Sequence, residues 1–565
     1  MAHQTTKAVI SLSSFAFAVM MIGIHETGRF FPWVHGFALA FAIALVVGGE
    51  QGLSPRAAAG AGAIGAVAIR SVIYLWPASM IGMDPDVYAL GVNQVMRTGT
   101  LEPIAQSLPK YAILSEFHMF NAAVSLVAGF NGGDVLLPTV IISGLLLPLT
   151  AVAIAFRWYS GPYQSLVVGV CVIIAGISAL SVSFGYLPIV QSIAVLTWCP
   201  TIIFLTRWVV NENRRDFIGF LLGLTVALAA HKISIFIPFL ISSLALVLYI
   251  TQSLLWRPNP NLQWRQIHPQ RALLLTIAFA LALVIQWGFI TNFLKSVIIS
   301  KAIPLLTGGV SVVPKDSPAL AAEVSNPGIA GIIIRRAHYL VLLPTVSIAG
   351  VWLWYGRRDW YTSFLVSAAA VPIILAGISI AGVSVVAPRR VLFYGLVVFA
   401  PILGIAIAKL RDHVPHQGPA LVAIIVLMLL IPQLGASLAP DFPGQSRQYL
   451  TSGEVTGKNA FMQYSHEPVA MDYYYAIETV EFDSSAAIVL KVPNSESGVI
   501  PLNDLLLNAT LVESSTQAVL LRNNVEIIRF HRGNYRLHWN PVDQMTVSPR
   551  FNRTYDNGQT VGFTA

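Results

Sequence analysis

Two acidic side chains separated by one proline, Asp84-Pro85-Asp86, are the residues of this chain best placed to do chemistry. They stand in the run Gly82-Met-Asp-Pro-Asp-Val-Tyr-Ala-Leu-Gly-Val-Asn-Gln-Val-Met-Arg-Thr-Gly99, directly after a long apolar segment. A carboxylate can take the proton from an acceptor hydroxyl or amide as a new bond forms. A close pair can also hold a divalent cation through oxygen ligands. Asp is equally a good helix N-cap, and Pro suits the first helical position, so capping alone also accounts for both. The spacing of Val87, Leu90, Gly91, Gln94 and Val95 predicts a short helix that ends at Gly99 and lies along a membrane surface.

A second segment, residues 109–129, reads as another amphipathic interfacial helix, entered through Tyr111 and carrying Glu116 and His118. Glu116 can serve as a second acid; His118 suits an interfacial hydrogen bond or a metal contact. Asp84, Asp86 and Glu116 would be the oxygen donors for a Mg or Mn ion, if the chemistry uses one. Basic residues recur where apolar segments end. Arg70 lies inside the third such segment, His231-Lys232 between the seventh and eighth, Arg335-Arg336 at the close of a long stretch, and Arg389-Arg390 after Pro388. Such cations can neutralise the charge that develops on a phosphate or pyrophosphate leaving group. Contact with lipid headgroups is the other reading of each pair. Arg70 either holds one of the loop carboxylates ionised or snorkels outward.

The elements that must position these groups are mostly hydrophobic. The chain has 565 residues, 55% hydrophobic and 11% charged, with a mean hydropathy of +0.69. Soluble domains carry about 25% charge, so an ordinary water-soluble globule is excluded. Cys171 and Cys199 lie in apolar runs, exclude a disulfide scaffold and read as small core residues. Net charge is +8, but no Lys/Arg run resembles a nucleic-acid patch, and no nucleic-acid partner is expected. Residues 1–440 hold 25 Lys+Arg against 13 Asp+Glu, whereas residues 441–565 hold 9 against 13. That reversal near Pro440 marks a change of solvent, from lipid to water.

Apolar windows of about 20 residues, the length of a membrane-crossing helix, predict about thirteen spans. They are 8–25, 34–49, 57–76, 134–156, 163–182, 187–206, 216–231, 232–252, 271–294, 337–355, 361–384, 391–408 and 418–438. The 216–252 pair also reads as one broken helix. With the N-terminus cytoplasmic, short loops carry thirteen positive charges inside and four outside, and excess Lys and Arg inside favours that orientation. An integral cell (plasma) membrane protein with residues 441–565 outside is therefore expected. Two long outer segments remain, 77–133 and 295–336, and structureless loops of that size are uncommon unless functional. In the tail, Ala518 to Phe530 reads as two strands joined at Asn523-Asn524, and Thr554 to Phe563 as a hairpin. A small β-rich domain is predicted, and the Asn-x-Thr triplets at Asn508 and Asn552 agree with an outer location.

On these residues the sequence resembles the GT-C superfamily of polytopic membrane glycosyltransferases. That group includes protein O-mannosyltransferases, aminoarabinose transferases and the catalytic subunit of oligosaccharyltransferase, and the likeness is nearest to archaeal-type members. It rests on Asp84-Pro-Asp-Val-Tyr88 after an early span, two interfacial helices in the same outer loop, a polytopic bundle and an outer tail. Residues 109–129, His231 and Pro388-Arg-Arg390 match further short motifs, and the layout is similar over 57–410. The resemblance implies a mainly α polytopic membrane protein with a GT-C-like module over 57–440 and a small β-rich extracytoplasmic domain over 441–565. The acidic loop follows the third span rather than the first, which makes 1–56 two additional N-terminal helices.

The activity it implies is transfer of a sugar from a polyprenyl- or dolichyl-phosphate-linked donor to a glycan, lipid or protein acceptor at the outer face. Asp84 or Asp86 would be the base. Tyr88, Arg70, Glu116, His118, His231, Lys232, Arg335, Arg336, Arg389 and Arg390 are the candidate substrate contacts. Longer motifs of oligosaccharyltransferases are absent from the tail, which points to one sugar rather than a whole glycan. A transporter or flippase of a lipid-linked or anionic solute is the alternative from another class. Gln191, Gln286 and Arg70 lie inside spans, but two-half symmetry is lacking. A non-catalytic subunit on the same fold is the third reading.

Overall fold

Backbone groups in hydrocarbon must bond within their own segment, so long apolar runs fold as helices. The computed structural model describes residues 2–27, 31–81, 84–107, 114–185, 188–255, 269–291, 329–356, 359–380, 388–414, 418–438, 449–465, 469–471, 475, 518–523, 527–530, 533–536 and 541–565. Among them, nine helices are long and apolar enough to cross a membrane, and three shorter apolar ones accompany them.

Helices α1 (Ala2–Thr27) and α2 (Phe31–Glu50) pack together as a hairpin. Helix α3 (Pro55–Leu75) starts at a cap in which the Ala57 N–H donates to Ser54 Oγ at 3.2 Å. Short elements follow: α4 (Asp84–Thr98), α5 (Glu102–Ser107), α6 (Glu116–Ala128) and a 3₁₀ turn, Gly132–Leu136. The bundle resumes with α7 (Leu137–Trp158) and α8 (Gln164–Val172), which runs into a π turn at Ile173–Ile177 and breaks before α9 (Ala179–Gly185). Next come α10 (Val190–Asn211), α11 (Arg214–Ala230), α12 (Phe236–Leu255) and α13 (Pro269–Val284), the last ending in a π turn at Ile285–Ile290. Helices α14 (Ile329–Gly356), α15 (Trp360–Ile380), α16 (Pro388–His413) and α17 (Gly418–Leu438) complete it.

The expected span 163–182 is not one helix but breaks at Ser178 between α8 and α9. The other expected segments lie on helices where described, residues 216–252 forming two, and nine helices rather than thirteen have the length and apolarity to cross a membrane among the described residues. Helix α16 is the axis of the bundle. Its apolar window is 100% buried, and it packs on α7, α8, α14, α15 and α17. Gly404 permits its close approach to α8, because a Cβ there would lie 2.9 Å from the Val167 carbonyl oxygen.

The tail opens with α18 (Ser452–Tyr464), whose capping box joins Thr451 and Glu454. A four-stranded sheet follows, in the order β1 (Val469–Met471), β2 (Ala518–Arg522), β6 (Thr560–Thr564), β5 (Asn552–Asp556). A separate ribbon pairs β3 (Ile527–Phe530) with β4 (Gly533–Arg536), and α19 (Pro541–Thr546) precedes β5. Both strands expected beside Asn523-Asn524 form, but they do not pair with each other. Strand β2 is buried along its whole length, and such a strand needs a neighbour on each side: parallel β1 and antiparallel β6. The β5–β6 hairpin is as expected, turning at Gly558 with φ +80°. The tail touches the bundle where the Leu450 N–H donates to Ser79 Oγ at 2.8 Å, just before α4.

Candidate functional site

Helix α4 ends at Thr98, and Gly99 leaves it with φ +68°, which glycine adopts without a Cβ penalty. Asp86, Ala89, Leu90 and Asn93 recur at helical spacing and are all buried, so this face of α4 is turned into protein. Asn93 anchors it by donating to the Gly132 carbonyl at 2.8 Å. Tyr74, near the end of α3, reaches the same turn and donates to the Gly133 carbonyl at 2.5 Å. Asp86, fully buried, and Asp134, exposed on that turn, both lie within electrostatic range of Tyr74. Asp134 is thus a further candidate. Sequence reasoning takes it for the first residue of a span, although the turn signal Asn131-Gly-Gly-Asp134 was there to read.

The other flank of α4 meets α5 and α6. Gly91 makes this contact feasible, since a Cβ would lie 2.7 Å from Ile104 Cδ1 and 3.1 Å from His118 Cδ2. Tyr88, Phe117 and His118 form an edge-to-face cluster with ring centroids 5.5–5.9 Å apart. Burial lowers the His118 imidazole to about 4, so at neutral pH it is an uncharged aromatic neighbour and not a cation. Glu116 is half-buried, and desolvation raises its carboxyl to about 7. Its Oε2 has no hydrogen-bond partner among the described residues. It can therefore give or take a proton near neutrality. Thr139 on α7 donates to Asn121 Oδ1 at 2.9 Å and fixes α6 to the bundle.

The basic residues of the α11–α12 turn and of α16 come together at one corner. Helix α11 ends at Ala230, and His231 turns away with φ −165° and ψ 147°. Gln286, fully buried in the π turn of α13, takes up the carbonyls this leaves. Its Nε2 donates to Leu228 O at 2.8 Å and His231 O at 3.0 Å. Beside it, Trp287 Nε1 donates to Lys232 O at 2.6 Å. Both Lys232 and Arg390 act electrostatically on the buried His231, and Gln191 at the start of α10 donates to the Arg390 carbonyl at 2.9 Å. Lys232, Arg389 and Arg390 are exposed. Helix α6 packs on α4 and also on α10 and α11, which connects the acidic and basic groups.

Arg70 has a different position. It is fully buried, and its Nη1 donates to Gly176 O at 2.5 Å and Ala66 O at 2.9 Å. Its Nη2 donates to Ser181 Oγ at 2.6 Å. The guanidinium thus serves a carbonyl freed where α8 breaks, and among the described side chains no carboxylate meets it. Arg335 and Arg336 belong to α14, but their side chains, like that of Asp84, lie outside those described. Among the described residues no group of three or more His, Cys, Asp or Glu could hold a metal ion.

No family model and no curated protein matches the sequence. Among solved structures the chain is similar to the Archaeoglobus fulgidus oligosaccharyltransferase complexed with Zn and sulfate, at 11% identity and a TM-score of 0.44 over 82% of this chain and 68% of that one. The archaeal oligosaccharyltransferase AglB from Archaeoglobus fulgidus, complexed with an inhibitory peptide and a dolichol-phosphate, is similar at 11% identity and 0.42, covering 82% and 69%. ArnT from Cupriavidus metallidurans bound to undecaprenyl phosphate is similar at 10% identity and 0.45, covering 88% of this chain and 97% of that one.

Proposed function

We propose that the chain is a membrane glycosyltransferase that moves a sugar from a polyprenyl- or dolichyl-phosphate-linked donor to a glycan, lipid or protein acceptor at the outer membrane face. One observation carries this reading. The acidic start of α4, with Asp86 buried near Tyr74, is joined through α6 to a corner where Lys232, Arg389 and Arg390 are exposed, all on an apolar helical bundle. A donor held by a prenyl tail delivers its phosphate at the membrane surface, where transfer needs a base for the acceptor and cations for the leaving group.

The acceptor oxygen or nitrogen attacks the anomeric carbon from the side opposite the phosphate. The carbon–oxygen bond to phosphate breaks, the phosphate leaves with the bonding pair, and the configuration inverts. Asp84 or Asp86 takes the acceptor proton, and the exposed cations receive the phosphate charge. No step is assigned to a metal ion.

The test follows transfer of label from a prenyl-phosphate sugar in membranes containing the chain. Asp84→Asn or Asp86→Asn is expected to slow transfer by about 10²-fold or more, the usual contribution of a positioned base. Arg390→Ala is expected to raise the donor KM. Wild-type rates from both Asp variants overturn the assignment. The break between α8 and α9 favours a second reading, solute transport, since interrupted spans mark transporter sites. Solute flux across vesicles without any sugar transfer would support it.

A further inference from the structure

We propose that Asn552 is a glycosylation site that carries an N-linked glycan. Asn552-Arg-Thr554 is an acceptor triplet with a non-proline centre, and the structure adds reasons to single it out. The triplet lies on β5, at the edge of the four-stranded sheet as described. Side chains of a regular strand alternate between faces, yet Asn552, Arg553 and Thr554 are all exposed. The ladder is also irregular at this point. Asn552 is opposite Thr564 and Arg553 opposite Phe563, but the next pair is Tyr555 with Gly562, so Thr554 is left out of the ladder. The side chain to be modified is therefore in solvent, and the exposed Thr554 keeps its hydroxyl only on a long 3.5 Å contact to the Gly562 carbonyl, which an incoming transferase can replace.

The position also gives the modification a purpose. An edge strand offers unpaired backbone groups to other chains, and a bulky hydrophilic glycan on β5 blocks such pairing. The tail meets the bundle through Leu450 and Ser79, beside the acidic start of α4; the proposal thus rests on the reading that this end faces outward. In the step itself, the Asn552 amide nitrogen bonds to the anomeric carbon of a glycan on a lipid phosphate or pyrophosphate. The bond from that carbon to the phosphate oxygen breaks, and the phosphate leaves with the electron pair. The amide proton passes to a carboxylate of the N-glycan transferase that supplies the donor.

The full-length chain is produced in a host with N-glycosylation, purified from membranes and analysed by peptide mass spectrometry. The peptide containing Asn552 is expected to carry one glycan, lost in Asn552→Gln and Thr554→Ala and retained in Thr554→Ser, which keeps the hydroxyl. Recovery of that wild-type peptide only at its unmodified mass overturns the proposal. If Asn508 is then modified, the outer location of the tail stands and the Asn552 assignment alone falls; if neither is, the Asn552 assignment falls and maleimide labelling of Tyr464→Cys decides the tail's side. Sugar transfer by the Asp86 variants is measured separately, so the two readings fail independently.

Discussion

Glu116 and His118 stand two residues apart, and burial moves them in opposite directions, the carboxyl up to about 7 and the imidazole down to about 4. Both shifts favour the neutral form in the folded chain. For Glu116 the raised value means that its contribution to stability is full below the ordinary carboxyl value of 4.5 and is lost as pH climbs through about 7. Thermal unfolding in detergent is therefore expected to show lower stability at pH 8 than at pH 6, with the Glu116 share of that difference gone in Glu116→Gln. If Glu116→Gln follows the wild-type pH profile, the carboxyl does not titrate there. The acids themselves are legible in the sequence because Asp-Pro-Asp and Glu116 carry their chemistry in residue type. Their ionisation is not legible, because desolvation depends on what α4, α6 and the 132–136 turn bring beside them.

Two contacts between elements hold the arrangement in place. Gly91 is the point where α4 approaches α5 and α6, and Gly91→Ala sets a methyl 3.1 Å from Cδ2 of the buried His118 ring on α6, besides 2.7 Å from the movable Ile104 Cδ1 on α5. The His118 ring must then shift by a few tenths of an ångström, against a helix gain of about 0.5–1 kcal/mol from replacing Gly, so weaker transfer is expected with little change in melting temperature, and wild-type transfer would refute the contact. Gln286 closes the end of α11, and Gln286→Leu leaves the Leu228 and His231 carbonyls unmet at about 1–3 kcal/mol. Because Lys232 follows His231, the donor KM is expected to rise more than kcat falls; an unchanged KM would separate Gln286 from donor binding. The helices were readable from apolar windows and Gly99 from its position after Thr98. The strand partners were not, since β2 and β3 adjoin in sequence but lie in different sheets.

On the scale of the molecule, both ends of the bundle carry exposed cations, with Arg56, Arg214 and Arg215 exposed where α3 and α11 begin. At the end where α2, α10 and α16 finish, Arg207 pairs with Asp216 at 3.0 Å and Arg411 with Glu50 at 3.3 Å. At the end where α10 and α16 begin, Lys232, Arg389 and Arg390 are exposed beside the candidate site. Orientation can be measured with the chain's own cysteines as a silent background, because Cys171 and Cys199 are buried. A cysteine at exposed Tyr464, in the tail, is expected to react with an impermeant maleimide in intact cells. One at exposed Arg56, in the first turn of α3, is expected to react only after lysis. The reverse pattern would invert the topology and remove the site from the outer face.

The sequence by itself determined where the chain is apolar for long enough to cross lipid, where it turns, and which residues carry acid and base. Those are local properties, set by hydrophobicity and backbone preference within one segment. Only the tertiary structure decided which groups meet. Arg70 bonds to Gly176, 106 residues away, instead of a loop carboxylate. Gln191 donates to a carbonyl 199 residues away, and Gln286 to one 55 residues away. Such partners depend on how helices pack side by side, and that packing is set by the shapes of whole faces rather than by the pattern within any one of them.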